Sequence, residues 1–494
     1  VIDESVSGPP QDFNPSFRDP AGTLILRDSG IFRIISKVAM HDLLTFLASK
    51  QGKKLLSSGK LVRTRLLSDS EKVEILQDPE VSRQARGIDV GGIAEHERIP
   101  FPSYPYEWPP EMLQAAGQLT LDLATGLLPE CLGVKDATPY NILFRGSSPV
   151  FVDVLSVEGR EPRDPIWLAY AQFVRTFLLP LLVNKEFGVS LEQSLLSRRD
   201  GLEPEEVYRL CSALQKLRPP FLSLVSLPSW LGGRHRPEDQ SIYRPHLVKD
   251  PEQARYVLGS LLNRLRRRLN RLVPANNRES HWADYMESHC SYPPEDFLTK
   301  QAFVEKAVSE CKPRSVLDIG CNTGHFSALA ARRGASVVAI DSDPVVVGQV
   351  WRMATREKLD ILPLVINIAR PSPSVGWRNR ECLSFLDRAS GSFDAVFMLA
   401  LVHHLLVSER IPLAEIMEVA SVLTSNLLIV EYVGPEDAMF RCLTRGRDSL
   451  FQGLNRQAFE AAFSGRFECL ESRRLGQSKR WIYLLRKRAG NGTA

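Results

Sequence analysis

The residues best placed by type and spacing to do chemistry lie between Ser315 and Asp343, in SVLDIGCNTGHFSALAARRGASVVAIDSD. Asp318, Gly320 and Gly324 stand in an Asp-x-Gly-x-x-x-Gly turn at the end of one apolar run, and Asp341 closes the next apolar run. Glycine at 320 lets the backbone approach a ligand and take dihedrals barred to other residues. A carboxylate at the end of the neighbouring strand can accept both hydroxyls of a ribose. Strand, glycine turn, helix, strand and acidic stop together make a nucleoside-binding unit at the carboxyl ends of parallel strands.

The acid that opens the turn narrows the nucleoside. Asp318 would repel a pyrophosphate, but it can attract an ammonium through water or backbone. This favours a nucleoside bearing an amino acid, S-adenosylmethionine, over a dinucleotide. Methyl transfer from a sulfonium is an in-line displacement, so the protein mainly positions and desolvates. An oxygen acceptor also needs a base. His403 and His404 follow the apolar run 393–398, and Glu431 ends the run 426–431. Histidine titrates near neutral pH, so either imidazole is a candidate base, and Glu431 is a third. The plainer reading of His403-His404-Leu405 is a helix start packed under a sheet. A metal held by His403, His404 and Glu431 is disfavoured, and no metal is expected.

These residues need a frame, and the alternation of patterns supplies one. Strands are expected at 315–319, 336–340, 361–366, 393–398 and 426–431. Helices are expected at 297–310, 324–333, 344–356 and 411–423, with a long loop from 367 to 392. A last helix and an antiparallel pair, FECLESRRL with RWIYLLRKR, close the chain. Regular alternation implies a mainly parallel sheet with helices on both faces. The loop RPSPSVGWRNRE (370–381) reads equally as a substrate lid or an ordered crossover.

The earlier half reads as α+β. A hairpin is expected at 22–35 with its turn at Asp28-Ser29-Gly30. A helix follows at 41–60, a strand at 61–67, a polar stretch to about Ile93 and a proline-rich loop at 97–110. An apolar helix spans 111–133, capped by Gly126 or Gly133. Another at 164–188 is broken by Pro180, helical pattern continues to about 218, and 219–247 reads as a linker or flap. The helix 256–272 stacks Leu258, Leu262, Leu265, Leu269 and Leu272 on one stripe, with Arg264, Arg267, Arg268 and Arg271 opposite. That basic face reads first as solvated and second as a phosphate or nucleic-acid contact. In KDATPYNILFRGSSPVFVDVLS, Asp136, Asn141 and Asp153 flank a hairpin in the order of kinase-like phosphotransferases. A His before Asp136 and a G-x-G-x-x-G loop are missing, and Lys37 is the nearest stand-in for a strand lysine. Bracing of a hairpin, a degenerate kinase-like fold and a working phosphotransferase all stay open.

DIGCNTGHF followed by AIDSD resembles the first two motifs of class I S-adenosylmethionine-dependent methyltransferases, and the resemblance covers about 290–488. KDATPYNILF, PVFVDVLS, NIARPSPSVGW, LALVHHL and IVEYV, in this order, are similar to bacterial two-domain methyltransferases that include nodulation proteins. The resemblance implies a Rossmann-like seven-stranded sheet with one reversed strand. It implies that Asp318, Gly320, Cys321, Asn322 and Gly324 line the methionine end, and that Asp341 and Ser342 hold the ribose. Asn367 and Ile368 would flank adenine, and Leu399 with Ala400 would sit beside the sulfur. The family usually has an acid near Asn367; an amide can still pair with the adenine amino group. The DPPY and NPPY tetrapeptides of amino-group nucleic-acid methylases do not occur.

Composition sets the outer limits. Basic and acidic residues number 62 and 58, too balanced to argue for nucleic acid from bulk charge. Eight cysteines without a CxxC pair suggest reduced thiols rather than a disulfide framework or zinc site. No apolar run approaches the ~20 residues of a membrane span. The first residues are acidic and proline-rich, unlike a signal peptide, so a cytoplasmic protein is expected, and Val1 suggests a natural start upstream. The expected organisation is a leader at 1–20, an accessory α+β domain at 21–275 and a methyltransferase domain at 276–490. The acceptor is expected to be a small molecule or glycan. RNA or protein is the second choice, and a regulatory or bifunctional protein whose first half binds a nucleotide is the third.

Overall fold

The computed structural model describes residues 16, 18–27, 30–232, 247–273 and 294–489. They form two compact units: the described part of 10–275 with Val375–Cys382, and the described parts of 276–374 and 383–494.

In the first unit, β1 (Gly22–Arg27), β2 (Gly30–Ser36), β3 (Thr64–Leu66) and β4 (Val90–His96) form an antiparallel sheet in the order β1-β2-β4-β3. β1 and β2 are the expected hairpin; its tip, Asp28-Ser29, lies outside the described residues. The polar stretch before Ile93 is not irregular. It holds helices Asp69–Gln77 and Pro79–Gln84 and most of β4. Gly91 and Gly92 mark a close approach there rather than a loop. A Cβ on Gly91 would lie 2.6 Å from the Met40 side chain and 2.7 Å from the Lys37 backbone.

Other boundaries move for local reasons. The expected helix 41–60 is two helices, Lys37–Ala48 and Lys50–Ser57, because Ser49 is extended and its hydroxyl caps the second at the Gly52 N–H, 2.9 Å away. The strand 61–67 shrinks to β3. The helix of 111–133 runs Pro110–Leu127 and is closed by a 3-10 turn and a left-handed Cys131, not by Gly126 or Gly133. Pro180 does not break its helix: it sits in the first turn of Leu179–Phe187, just after a π turn at Val174–Leu178. The linker expected at 219–247 is helical over Leu222–Ser226 and Leu227–Gly232, while 233–246 lie outside the described residues. The helix Pro251–Leu272 buries all five stripe leucines. Short pairs complete the unit: β5 (Leu132–Val134) with β8 (Val157–Gly159), and β6 (Ile142–Arg145) with β7 (Ser148–Phe151).

The second unit is built on β9 (Ser315–Ile319), β10 (Ser336–Asp341), β11 (Ile361–Val365), β12 (Phe393–Met398), β13 (Thr424–Tyr432), β14 (Phe467–Arg474) and β15 (Trp481–Lys487). They form one sheet in the order β11-β10-β9-β12-β13-β15-β14. The first five are parallel, and β15 runs against both neighbours. Short apolar runs such as Val316-Leu317 and Val337-Val338-Ala339-Ile340 read as strands because both faces are covered, and they are buried accordingly. Pro294–Cys311, His325–Arg332, Pro344–Glu357 and Leu413–Leu423 supply the main covering helices. A separate helix, Val402–Val407, follows β12, and a short one, Phe385–Ala389, interrupts the long loop.

The loop segment Val375–Cys382 belongs to the first unit, and Glu381 is what orders it. Its carboxylate is almost wholly buried. It accepts from Arg18 Nη2 at 2.8 Å, Arg199 Nη1 at 2.5 Å and the Trp377 N–H at 2.5 Å. Burial pushes this carboxyl up, but Arg18, the Trp377 amide and Arg199 together hold it below its ordinary value. Because both arginines reach solvent, Glu381→Gln should cost about 1–3 kcal/mol, the range for charged hydrogen bonds. The sign follows from a depressed carboxyl: its contribution is present above the ordinary value near 4.5 and is lost as pH falls below it. Urea unfolding between pH 7 and pH 3 should show the variant's deficit shrinking as pH falls; a constant deficit would contradict the ion-pair account.

Candidate methyl-donor site

The turn after β9 is pinned to the end of β10. The Ile340 carbonyl accepts from both Gly320 N–H (2.9 Å) and Cys321 N–H (3.1 Å). The Asn322 N–H reaches Asp341 Oδ2 at 3.0 Å, and the Asp343 N–H reaches Oδ1 at 3.0 Å. Gly320 and Gly324 have φ of +74° and +81°, and Asn322 also lies in the left-handed region at +48°. Glycine suits 324 twice over: its φ is left-handed, and a Cβ there would crowd the Val350 side chain at 2.9 Å and Met353 Cε at 3.1 Å. The N–H groups of Gly320, Cys321, Asn322, Thr323 and Gly324 are all donated within the protein, so the turn is a rigid backbone cradle beside one carboxylate rather than a set of free donors.

Asp318 faces this cradle from β9, paired in register with Ala339 and Phe397. It is buried and accepts the Ser327 hydroxyl at 2.6 Å. Burial pushes its carboxyl up to about 6, against the pull of Ser327 and Lys300. Asp341 is also raised by burial, against the amides that hold it. Ser342 is exposed beside it, and Asp343 caps the next helix at the Val345 N–H. Asn367 follows β11 and turns its side-chain oxygen onto the Ala369 N–H at 2.9 Å, which leaves its amide NH2 to donate outward; Ile368 is half-buried beside it. Cys321 and Leu399 send their side chains into the core with Val316 and Phe397, so the thiol stays protonated and the Cys321 contribution to the cradle is its backbone.

His403 and His404 open the helix Val402–Val407 with ring centroids 4.3 Å apart. Burial, with His404, Arg480 and Lys300 adding to it, pushes His403 well below the usual imidazole value, and burial with Arg480 lowers His404. Both are neutral at pH 7. His403 Nδ1 is buried without a hydrogen bond. Glu431 is fully buried at the end of β13, 2.7 Å from Lys300 Nζ and 3.6 Å from Arg480 Nη1. Arg480 continues to Asp437 through two bonds of 2.8 and 3.0 Å. Glu431 is therefore engaged between two cations. Among the described residues no cluster of three or more His, Cys, Asp or Glu side chains is arranged to hold a metal ion.

Lys300, Arg480, Asp437 and Ser327 were not singled out by sequence reasoning. One signal was present: Lys300 falls on the apolar stripe of its helix with Phe303, Val304 and Ala307.

In the first unit the structure does gather Asp136, Asn141 and Asp153. Asn141 Nδ2 donates to the Asp136 carbonyl at 3.0 Å, and its own carbonyl accepts the Val152 N–H at 2.9 Å. Burial and the nearby Asp153 raise the Asp136 carboxyl. The cation that meets Asp153 is Arg33 on β2, at 2.7 Å, with Asp19 at 3.6 Å. Lys37 instead pairs with exposed Asp89.

A parallel sheet ordered third, second, first, fourth, fifth, seventh, sixth along its own chain, with the seventh strand reversed, an acidic glycine turn after the first and a carboxylate after the second, defines the class I methyltransferase fold, and the cofactor of this unit is S-adenosylmethionine. In agreement, residues 317–425 match the methyltransferase domain family. The chain is 29% identical to nodulation protein NoeA of Rhizobium meliloti (strain 1021) over 95% of this chain and 94% of that one. It also resembles the crystal structures of the N-methyltransferase NodS from Bradyrhizobium japonicum WM9 and of magnesium protoporphyrin IX methyltransferase from Synechocystis PCC 6803 with bound SAH. The first is 12% identical, with a TM-score of 0.30, over 39% of this chain and 97% of that one. The second is 15% identical, with a TM-score of 0.30, over 42% and 93%.

The buried charges make a test of the site's construction. Lys300→Met leaves Glu431 in the core with the more distant Arg480, and should destabilise the protein by about 3–5 kcal/mol. Lys300→Met combined with Glu431→Gln should recover at least half of that loss in urea unfolding. Additive losses in the double variant would show that the two side chains are not coupled.

Proposed function

We propose that the protein transfers the methyl group of S-adenosylmethionine to an oxygen or nitrogen on a small molecule or glycan. In this reading Asp341, with Ser342 beside it, takes the ribose hydroxyls. The turn through Gly320, Cys321, Asn322 and Gly324 receives the methionine end by the close backbone approach its glycines allow, with Asp318 drawing its ammonium. Asn367 donates its amide to adenine, Ile368 packs against the ring, and Leu399 and Ala400 border the sulfur. When bound, the cofactor supplies an activated sulfonium methyl. The residues of the chain supply orientation, a dry site and a proton acceptor.

The observation that carries the reading is the neutral imidazole pair at the strand end next to the cradle. Displacement forms a bond from acceptor to carbon as the carbon–sulfur bond breaks, and an acceptor hydroxyl or ammonium must lose its proton. A neutral imidazole can take it, and His404 is the better candidate of the two, because the burial and cations that push His403 well below the usual value disfavour its protonated form more strongly. Glu431, engaged by Lys300 and Arg480, serves better as the group that fixes the charge around that base than as the base itself. A small acceptor is favoured over RNA because the chain as a whole carries only +4.

A second reading, nucleotide binding by the first unit, has the Asp136, Asn141 and Asp153 grouping in its favour. Arg33 on Asp153 weighs toward bracing. Calorimetry of the full chain with ATP and magnesium separates the two, since bracing predicts no heat.

Asp341→Ala should weaken S-adenosylmethionine binding at least about 100-fold, the worth of two charge-assisted hydrogen bonds, and should also lower the melting temperature, because the same carboxylate accepts the Asn322 and Asp343 amides. Unchanged affinity would remove Asp341 from the ribose. Because the Asp318 carboxyl titrates near 6 and must be ionised to attract an ammonium, cofactor affinity should rise as pH increases through about 6 and level off above it. Asp318→Asn should abolish that rise.

For the base, His403→Ala and His404→Ala should be assayed by single-turnover methyl transfer to labelled products in extract. Loss of about 100-fold or more in one variant, with cofactor affinity kept, identifies it. Full rate in both excludes both histidines. Label appearing in RNA rather than small products would favour the other acceptor class.

A further inference from the structure

The helix that carries His403 and His404 ends at an open cleft. Its far end, Leu406 and Val407, forms one wall of a cavity of about 330 Å³. The other wall is Leu443, from the helix Ala438–Thr444, with Phe451 beyond it. The two walls follow β12 and β13 in the chain, and β12 pairs directly with β9, the strand that leads into the glycine turn. Val407 lies one helical turn past His403, about 6 Å along the axis at about 1.5 Å per residue. The two residues share one face of the helix, and at its other end Leu401 lies 3.3 Å from where a Cβ on Gly320 would stand, so this one helix joins the cleft to the glycine turn.

The cleft also has a charge. Arg410 and Arg447 stand on its rim, both exposed, and among the described residues neither has an ion-pair partner. The neighbouring carboxylate, Glu409, is already spent on Arg370 at 2.7 Å. Leu450, also on the lining, is 72% exposed. Apolar walls with unpaired guanidinium groups at the mouth complement a molecule that is apolar along its body and anionic at one end.

We propose that this cleft is the acceptor subsite and that the acceptor is a soluble amphipathic molecule: an acyl or aromatic body held between Leu406, Val407, Leu443 and Phe451, with a carboxylate or phosphate on Arg410 and Arg447. The proposal rests on the methyl-transfer reading and names its substrate class. It gives Arg410 and Arg447 a role in specificity, separate from the cofactor residues.

The test uses the full chain, with and without saturating S-adenosylhomocysteine. The probes are decyl phosphate, decanol and decyltrimethylammonium, each below its micelle concentration, followed by calorimetry. Decyl phosphate should bind at least about 10-fold more tightly than the other two, the effect of one charge-assisted contact. The Arg410→Asn, Arg447→Gln double variant should lose that advantage while its decanol and S-adenosylhomocysteine affinities stay unchanged. Asparagine is chosen at 410 because the backbone there is left-handed, φ +58°. Leu443→Trp, which fills the cleft, should reduce all three probes by 10-fold or more with the melting temperature retained. Equal affinity for the three probes, a double variant that keeps the preference, or binding to anionic vesicles without binding to monomeric decyl phosphate would overturn the proposal. Failure of S-adenosylhomocysteine to bind the wild type would instead overturn the methyl-transfer reading, so the two failures are distinguishable.

Discussion

The Ile340 carbonyl accepts two N–H groups, from Gly320 and Cys321, and the carboxylate one residue later accepts a third, from Asn322. This staple between the ends of two parallel strands fixes the shape of the donor cradle. It holds three residues of the turn in place even though 320, 322 and 324 all sit at positive φ. It also orients Asp341 before any ligand arrives, so little ordering remains to be done on binding. A carboxylate that already accepts two backbone amides is kept in one rotamer with its remaining lone pairs pointing outward.

Around the staple, charge is distributed by burial. Asp318 is raised toward neutrality, the two imidazoles are lowered toward neutrality, and Glu431 is engaged between Lys300 and Arg480. In the proposed reading the neutral imidazoles are the groups that can move a proton, Asp318 is ionised above about pH 6, and Glu431 is locked between its two cations. Chemistry that starts from a sulfonium needs little more than this, since the donor is already activated and the work left is alignment, exclusion of water and removal of one proton.

How much of this was legible depends on sequence distance. The stretch Ser315–Asp343 could be read directly, because strand, turn, helix and strand are local and the glycine spacing is set by the backbone alone. The closing antiparallel strands were legible for the same reason. The clamp on Glu431 was not, because Lys300, Glu431 and Arg480 come from three separate parts of the chain and meet only through the sheet. In the first unit, glycines misled: Gly91 and Gly92 suggest a loop, yet they lie in β4 because the Lys37 helix crosses too close for a side chain. Pro180 and the 219–232 segment misled because π turns before the helices Leu179–Phe187 and Leu227–Gly232 absorb geometry that prolines normally interrupt. The order Asp136, Asn141, Asp153 was legible as an order, but the partner of Asp153, Arg33 on a strand more than a hundred residues earlier, was not.

The central claim is that the staple and its cradle receive S-adenosylmethionine. Hydrogen–deuterium exchange with and without S-adenosylhomocysteine measures this most directly, because the staple is made of backbone amides whose opening a bound ligand would suppress. Protection should concentrate at 320–324 and 341–343, with a weaker effect at 367–368 and little change in β1 to β8. Unchanged exchange across 320–343, or protection centred on 136–153 instead, would contradict the account.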